Sequence, residues 1–209
     1  MNLFQKQRER YKERKKTYGL SPEGVGWKNR KAQEIRFEQL TKVIDSPAHF
    51  SLNDLGCGLG HLQEYLHNKG FRKFLYKGYD LFQEMVDGAK KRFAEQQEIK
   101  FQIISHVSEI DVADFSLASG IFSFKGQAAE TAWLSYILEI LEEMNKKSMR
   151  GFSFNMLTKY SDPEYMENEL YYADPCFMFD FCKRNFSRDV ALLHDYQEYD
   201  FTILVRKAG

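Results

Sequence analysis

The residues best placed to do chemistry lie in 52–62, LNDLGCGLGHL. Asp54 precedes three glycines, Gly56, Gly58 and Gly60, and His61 opens a helix-forming stretch. A strand, a glycine-rich turn and a helix are how an open α/β sheet holds a nucleotide. Glycine permits unusual dihedrals and close approach of the backbone to a ligand. The spacing then separates the ligands. A nicotinamide fingerprint, Gly-x-Gly-x-x-Gly, needs its third glycine where His61 stands. Asp54 also disfavours a pyrophosphate, because like charges repel at short range. A ligand with a cationic amine and no phosphate is attracted instead, and S-adenosylmethionine, with its α-ammonium and sulfonium, is such a ligand. A second carboxylate, Asp80 in YKGYDLF, follows 24 residues after Gly56, where an acidic side chain can accept both ribose hydroxyls. Leu81 and Phe82 come next, and either can cover an adenine face.

These groups need a scaffold. Apolar spacing and breakers predict strands over 50–55, 75–79, 99–104, 115–119, 151–156, 190–195 and 199–206. Helices are predicted over 28–44 (stopped by Pro47), 61–69, 83–94, 128–144 and 174–185, the last capped by Asp174. Alternating strand and helix gives a mostly parallel sheet covered on both faces. The last two strands are joined too closely for a parallel crossover, so they form an antiparallel hairpin, at one edge or inserted into the sheet.

The pair LNDLGCGLG and YDLFQEMVDGAKKRF resembles the first motif and the ribose-binding segment of the class I S-adenosylmethionine-dependent methyltransferases, over roughly residues 50–207. SGIFSFKG and FNMLTKYSD resemble a bacterial small-molecule branch of that family. The resemblance implies an α/β, Rossmann-like, doubly wound, mostly parallel seven-stranded sheet with an antiparallel C-terminal strand and an N-terminal helical extension. It implies S-adenosyl-L-methionine as cofactor. Asp54, Gly56, Gly58 and Gly60 would line its methionine end and Asp80 its ribose, with Cys57 and Leu81 also among the cofactor-binding residues. The family often has an acidic residue after the third strand, reaching the adenine amine. Here Ser105 and His106 stand at that place, and Ser105 is the candidate contact or a surface turn.

Ligands of open α/β sheets sit outside the carboxyl ends of the strands. That rule places Ser119 and Gly120 beside the donor methyl, with Ile121 or Phe122 near the sulfonium. It also gathers Asn155, Tyr160 and His194 as the acceptor-side, catalytic group. Residues 1–45 are read as a helical arm and lid, with Trp27 and Arg36 closing over the donor and Arg36 pairing with its carboxylate. Residues 46–209 form the donor-binding domain.

Composition narrows the partners. Thirty basic residues balance 30 acidic ones, which argues against a nucleic-acid-coating protein. Residues 1–17 are nonetheless basic: Lys6, Arg8, Arg10, Lys12, Arg14, Lys15 and Lys16 against Glu9 and Glu13. They form either a solvated helix or an arm for an anionic partner. No apolar run is long enough for a membrane, and the N-terminus has no apolar signal core. Cys57, Cys176 and Cys182 have neither metal nor disulfide spacing and suit a reducing cytoplasm. The expected activity is methyl transfer to a small-molecule acceptor. The alternatives are an RNA or protein methyltransferase that uses the basic arm, and a non-catalytic donor-binding module.

Overall fold

The computed structural model describes residues 5–19, 21, 24, 26–46, 48–96 and 98–207. A strand buried on both faces belongs in the middle of a sheet. Strand β1 (Ser51–Leu55) is of this kind, with Leu52, Asn53, Asp54 and Leu55 all buried. It pairs in parallel with β2 (Leu75–Asp80) on one side and with β4 (Ala113–Ala118) on the other. Strand β3 (Ile99–Ile103) extends the sheet beyond β2, and β5 (Ser148–Leu157) extends it beyond β4. Strands β6 (Asp189–Leu193) and β7 (Asp200–Arg206) form the expected hairpin. β7 is inserted antiparallel between β5 and β6, giving the order β3-β2-β1-β4-β5-β7-β6. The chain therefore runs outward from β1 to β3 and returns to build the other half. The carboxyl ends of β1 and β4 are the switch point, where such sheets bind ligands.

Two cores cover the two faces. On one, α5 (Glu130–Lys147) and α6 (Pro175–Asn185) bury Trp133, Ile137 and Met178 against Phe152, Phe154 and Phe201. The indole N–H of Trp133 donates to the Phe122 carbonyl at 2.9 Å, so this large ring is buried without an unpaired donor. On the other, α2 (Arg30–Thr41), α3 (His61–Asn68) and α4 (Gln83–Arg92) bury Phe37, Leu40, Leu62, Leu66 and Val86 against Leu52 and Phe115. Asn29 caps α2 by accepting from the Ala32 N–H at 2.9 Å, which satisfies one otherwise orphaned donor.

The sequence pattern assigns helix α2 to an arm ending at residue 45. The helix packs instead on β5 and β7, and this segment supplies Phe37, Leu40 and Val43 to the main core. Among the described residues, those of α1 (Gln5–Tyr18) are not part of either core. Pro47, the expected stop of α2, falls outside the described residues; the helix ends at Thr41. Among the described residues no helix is long and apolar enough to cross a membrane, and no cluster of His, Cys, Asp and Glu could hold a metal.

Candidate active site

The glycine turn is held by the strand beside it. The Gly56 and Cys57 N–H groups both donate to the Tyr79 carbonyl, at 2.8 and 3.0 Å. The Gly58 N–H donates to Asp80 Oδ2 at 3.0 Å, and the other Asp80 oxygen accepts from Phe82 N–H at 2.9 Å. A carboxylate has about four acceptor positions, so Asp80 keeps room for further donors. The Tyr76 hydroxyl donates to Asp54 Oδ2.

A cavity of about 570 Å3 opens over the carboxyl ends of β1, β2 and β4. Trp27, Arg36, Asp54, Gly56, Cys57, Gly58, Asp80, Leu81, Ser105, Ser119 and Gly120 all line it. The structure thus brings together all but one of the residues expected around the donor. Two of the carboxyls in its wall, Asp54 and Asp80, are buried side by side at the ends of β1 and β2. Burial pushes Asp54 up to about 7, opposed by the Tyr76 hydrogen bond and assisted by the charge of Asp80. Burial likewise raises Asp80 to about 6, opposed by the N–H groups of Phe82, Gly58 and Leu81. Two buried acids in one cavity make a site that a cation stabilises. The Ser119 hydroxyl oxygen, also in the wall, has no hydrogen-bond partner among the described residues.

Gly60 is the exception. It does not border the cavity; a Cβ there would meet Phe93 at 2.6 Å and Phe101 at 2.9 Å. Its smallness serves the packing of α3 and α4 on the sheet, at a φ of 77° that favours glycine. Gly120, with φ 71°, is in the wall itself. A Cβ there would lie 2.7 Å from the Trp27 ring, so only glycine lets the indole close on the β4 turn. Of the two residues named for the sulfonium, Ile121 lines the cavity, while Phe122 is fully buried, edge-on to Phe154.

The acceptor group read from the sequence does not line this cavity. Tyr160 and His194 do meet, with rings 6.2 Å apart, but both are exposed and outside the cavity wall. For His194 the reason is lateral distance. β6 is four strands from β1, about 19 Å at the usual strand spacing. Ending on the same rim is therefore not enough. Asn155 is buried and committed: its side-chain oxygen accepts from Gly120 N–H and its amide donates to Asp200 Oδ1, both at 2.9 Å. It holds the β4 turn in place and does not reach the cavity. Arg36 is in the wall, but its partners are Asp200 and Glu198, with the guanidinium 4.9 Å from the Trp27 ring centroid. Arg36 thus joins two carboxylates of the chain at the cavity wall, where the sequence reading expects it to meet the donor carboxylate.

No protein-family model matches the chain. Solved structures share its fold at low identity. Magnesium protoporphyrin IX methyltransferase (ChlM) from Synechocystis PCC 6803, with bound SAH, aligns at a TM-score of 0.62 and 14% identity, over 99% of this chain and 97% of that one. A SAM-dependent methyltransferase from Aquifex aeolicus aligns at 0.62 and 16%, over 93% and 97%. In sequence, the chain is 48% identical over 168 residues to "Putative methyltransferase Rv1506c" of Mycobacterium tuberculosis (strain ATCC 25618 / H37Rv), covering 80% of this chain and 99% of that one. The chain belongs to the class I methyltransferases. In this methyltransferase several cavity residues carry no sequence motif. Gln33 and Arg36 lie one turn apart on α2, and the Gln33 amide is 3.4 Å from His61 Nδ1. Glu198 and Asp200 enter from the β7 end of the hairpin, beside β5, while His194 at its β6 end stays outside. The helical spacing of Gln33 and Arg36 was a usable signal; the reach of the hairpin was not.

Proposed function

We propose that the chain transfers a methyl group from S-adenosylmethionine to a small-molecule acceptor. The observation that carries this reading is the pair of buried carboxyls, Asp54 and Asp80, in one cavity at the switch point of the sheet. The donor fits these residues. Asp54 would face its ammonium, Asp80 would accept from the ribose hydroxyls, and Leu81, Phe82 and Met85, all in the wall, would give the base an apolar surface. S-adenosylmethionine supplies an electrophilic methyl on sulfur: a bond to the acceptor forms as the carbon–sulfur bond breaks, and that electron pair stays on sulfur.

The chain's own contribution is position and exclusion of water. Ser119, Gly120 and Ile121 border the reacting end, and Gln33, His61 and Glu198 are the polar groups that orient an acceptor beside Trp27. Holding two reactants in line contributes up to about 7–11 kcal/mol. A cavity of about 570 Å3 must take both, within the usual range for small-molecule sites, which favours a small acceptor. Helix α1 acts as a lid. Lys6 pairs with Glu169 at 3.2 Å, and Arg8 and Lys12 pair with Glu84 at 3.2 and 3.3 Å. Arg10, between them, lines the cavity with its guanidinium over Phe124. These basic side chains are engaged in closure, which disfavours a nucleic-acid arm. Free cysteines, two of them buried, suit a reaction in the cytoplasm. The test is transfer of isotopically labelled methyl into a panel of small hydroxyl, amine and carboxyl compounds, with RNA and protein acceptors in parallel. Label confined to RNA or protein would refute the reading.

A further inference from the structure

The end of the cavity beyond Asp80 is bounded by the turn after β3 and by the facing side of α5. Ile104, Val107, Tyr136 and Ile140 make it an apolar slot. Its polar side chains are Ser105, His106 and Glu139. Such a slot suits a flat uncharged heterocycle with one or two polar edge groups. No acidic side chain of the turn after β3 lines the cavity, yet a carboxylate is present: Glu139 comes from mid-helix α5.

The Glu139 carboxylate is held. His106 Nδ1 accepts from the Ser108 N–H at 3.2 Å, which puts the ring proton on Nε2. Nε2 then donates to Glu139 Oε1 at 3.0 Å. Glu139 Oε2 makes no hydrogen bond among the described residues. His106 is itself fixed, since its N–H donates to Glu109 Oε1 at 2.8 Å in a capping box on the short turn Val107–Glu109. An ionised carboxylate accepts hydrogen bonds and donates none.

We infer that Glu139, oriented by His106, reads the exocyclic amine of the donor's adenine. This rests on S-adenosylmethionine being the donor. Adenine offers a donor N–H2 at this edge, whereas hypoxanthine offers an oxygen that a carboxylate repels. Glu139 is thus a specificity-determining residue supplied by α5 in place of the β3 end.

Calorimetry with S-adenosylhomocysteine and S-inosylhomocysteine tests it, because the two differ only at that edge. The wild type should prefer the adenosyl ligand. Glu139→Gln can turn its amide to donate, so its preference should fall by roughly tenfold or more, the scale of one hydrogen bond to a charged group. Glu139→Ala should lose affinity for the adenosyl ligand without gaining the inosyl one. The side chain is about half exposed, so both variants should fold, as thermal melts will check. Wild-type preference retained in both variants overturns the assignment while leaving the donor reading intact. A wild type that binds neither ligand overturns both.

Discussion

Replacing Asp54 by Asn should make the ligand-free protein more stable at pH 8 and weaken donor binding. Asp54 is 3% exposed, and burial raises its carboxyl from 3.8 to about 7. A raised acid binds more protons folded than unfolded between those values. Its contribution is therefore fully present below about 4 and is lost as pH rises through about 7. A tenfold change in proton affinity is worth about 1.4 kcal/mol, so ionising this group in the fold costs up to about 4 kcal/mol at pH 8. Asn carries no charge, and its amide oxygen can still accept from Tyr76. Any cost of the new amide N–H2 is the same at every pH and cancels when two pH values are compared. Chemical denaturation at pH 5 and pH 8 gives the result directly. The Asn variant should gain on the wild type by roughly 2–3 kcal/mol between them, while its affinity for S-adenosylhomocysteine falls. An equal difference at both pH values would refute the idea that the cavity stores an unpaired buried charge for a cationic ligand.

Other outcomes follow from the same geometry. Asp80→Ala should weaken binding of S-adenosylhomocysteine by roughly 1.5–3 kcal/mol, since it removes a charged acceptor and unpins the Gly58 N–H; unchanged affinity in a folded variant would take Asp80 off the ribose. Gly58→Val should abolish that binding, because a β-branched residue does not tolerate φ 51° and the turn lines the cavity; calorimetry on the folded variant is the check. His194→Ala should leave both donor affinity and turnover unchanged, as the ring lies outside the cavity; a large fall in kcat would show that the acceptor reaches the β6 edge.

The cavity wall expected to hold the donor was legible because its signals are local. Asp54, the glycines and Asp80 sit at the ends of two adjacent strands, and strand ends can be read from apolar runs. The acceptor half depends on lateral order. Sequence pattern leaves β7 either at an edge or inserted, and its insertion is what carries Glu198 and Asp200 to the cavity while leaving His194 outside. Arg36 could not be assigned for a similar reason: its partner Asp200 is 164 residues away, and a cation read alone invites an anionic ligand. Spacing groups Gly60 with the ligand-binding glycines, although its constraint comes from two aromatic rings, at the end of α4 and on β3. Glu139 carries no motif, being one of several charges along a long amphipathic helix, and only the fold brings it to His106.

The cavity over β1, β2 and β4 is proposed to take an adenosyl sulfonium donor. Isothermal titration of the purified protein with S-adenosylmethionine, S-adenosylhomocysteine and NAD tests it most directly. Saturable binding of both sulfur ligands at one site per chain, and none of NAD, is the expected result. Binding of NAD with no response to either sulfur ligand would contradict it.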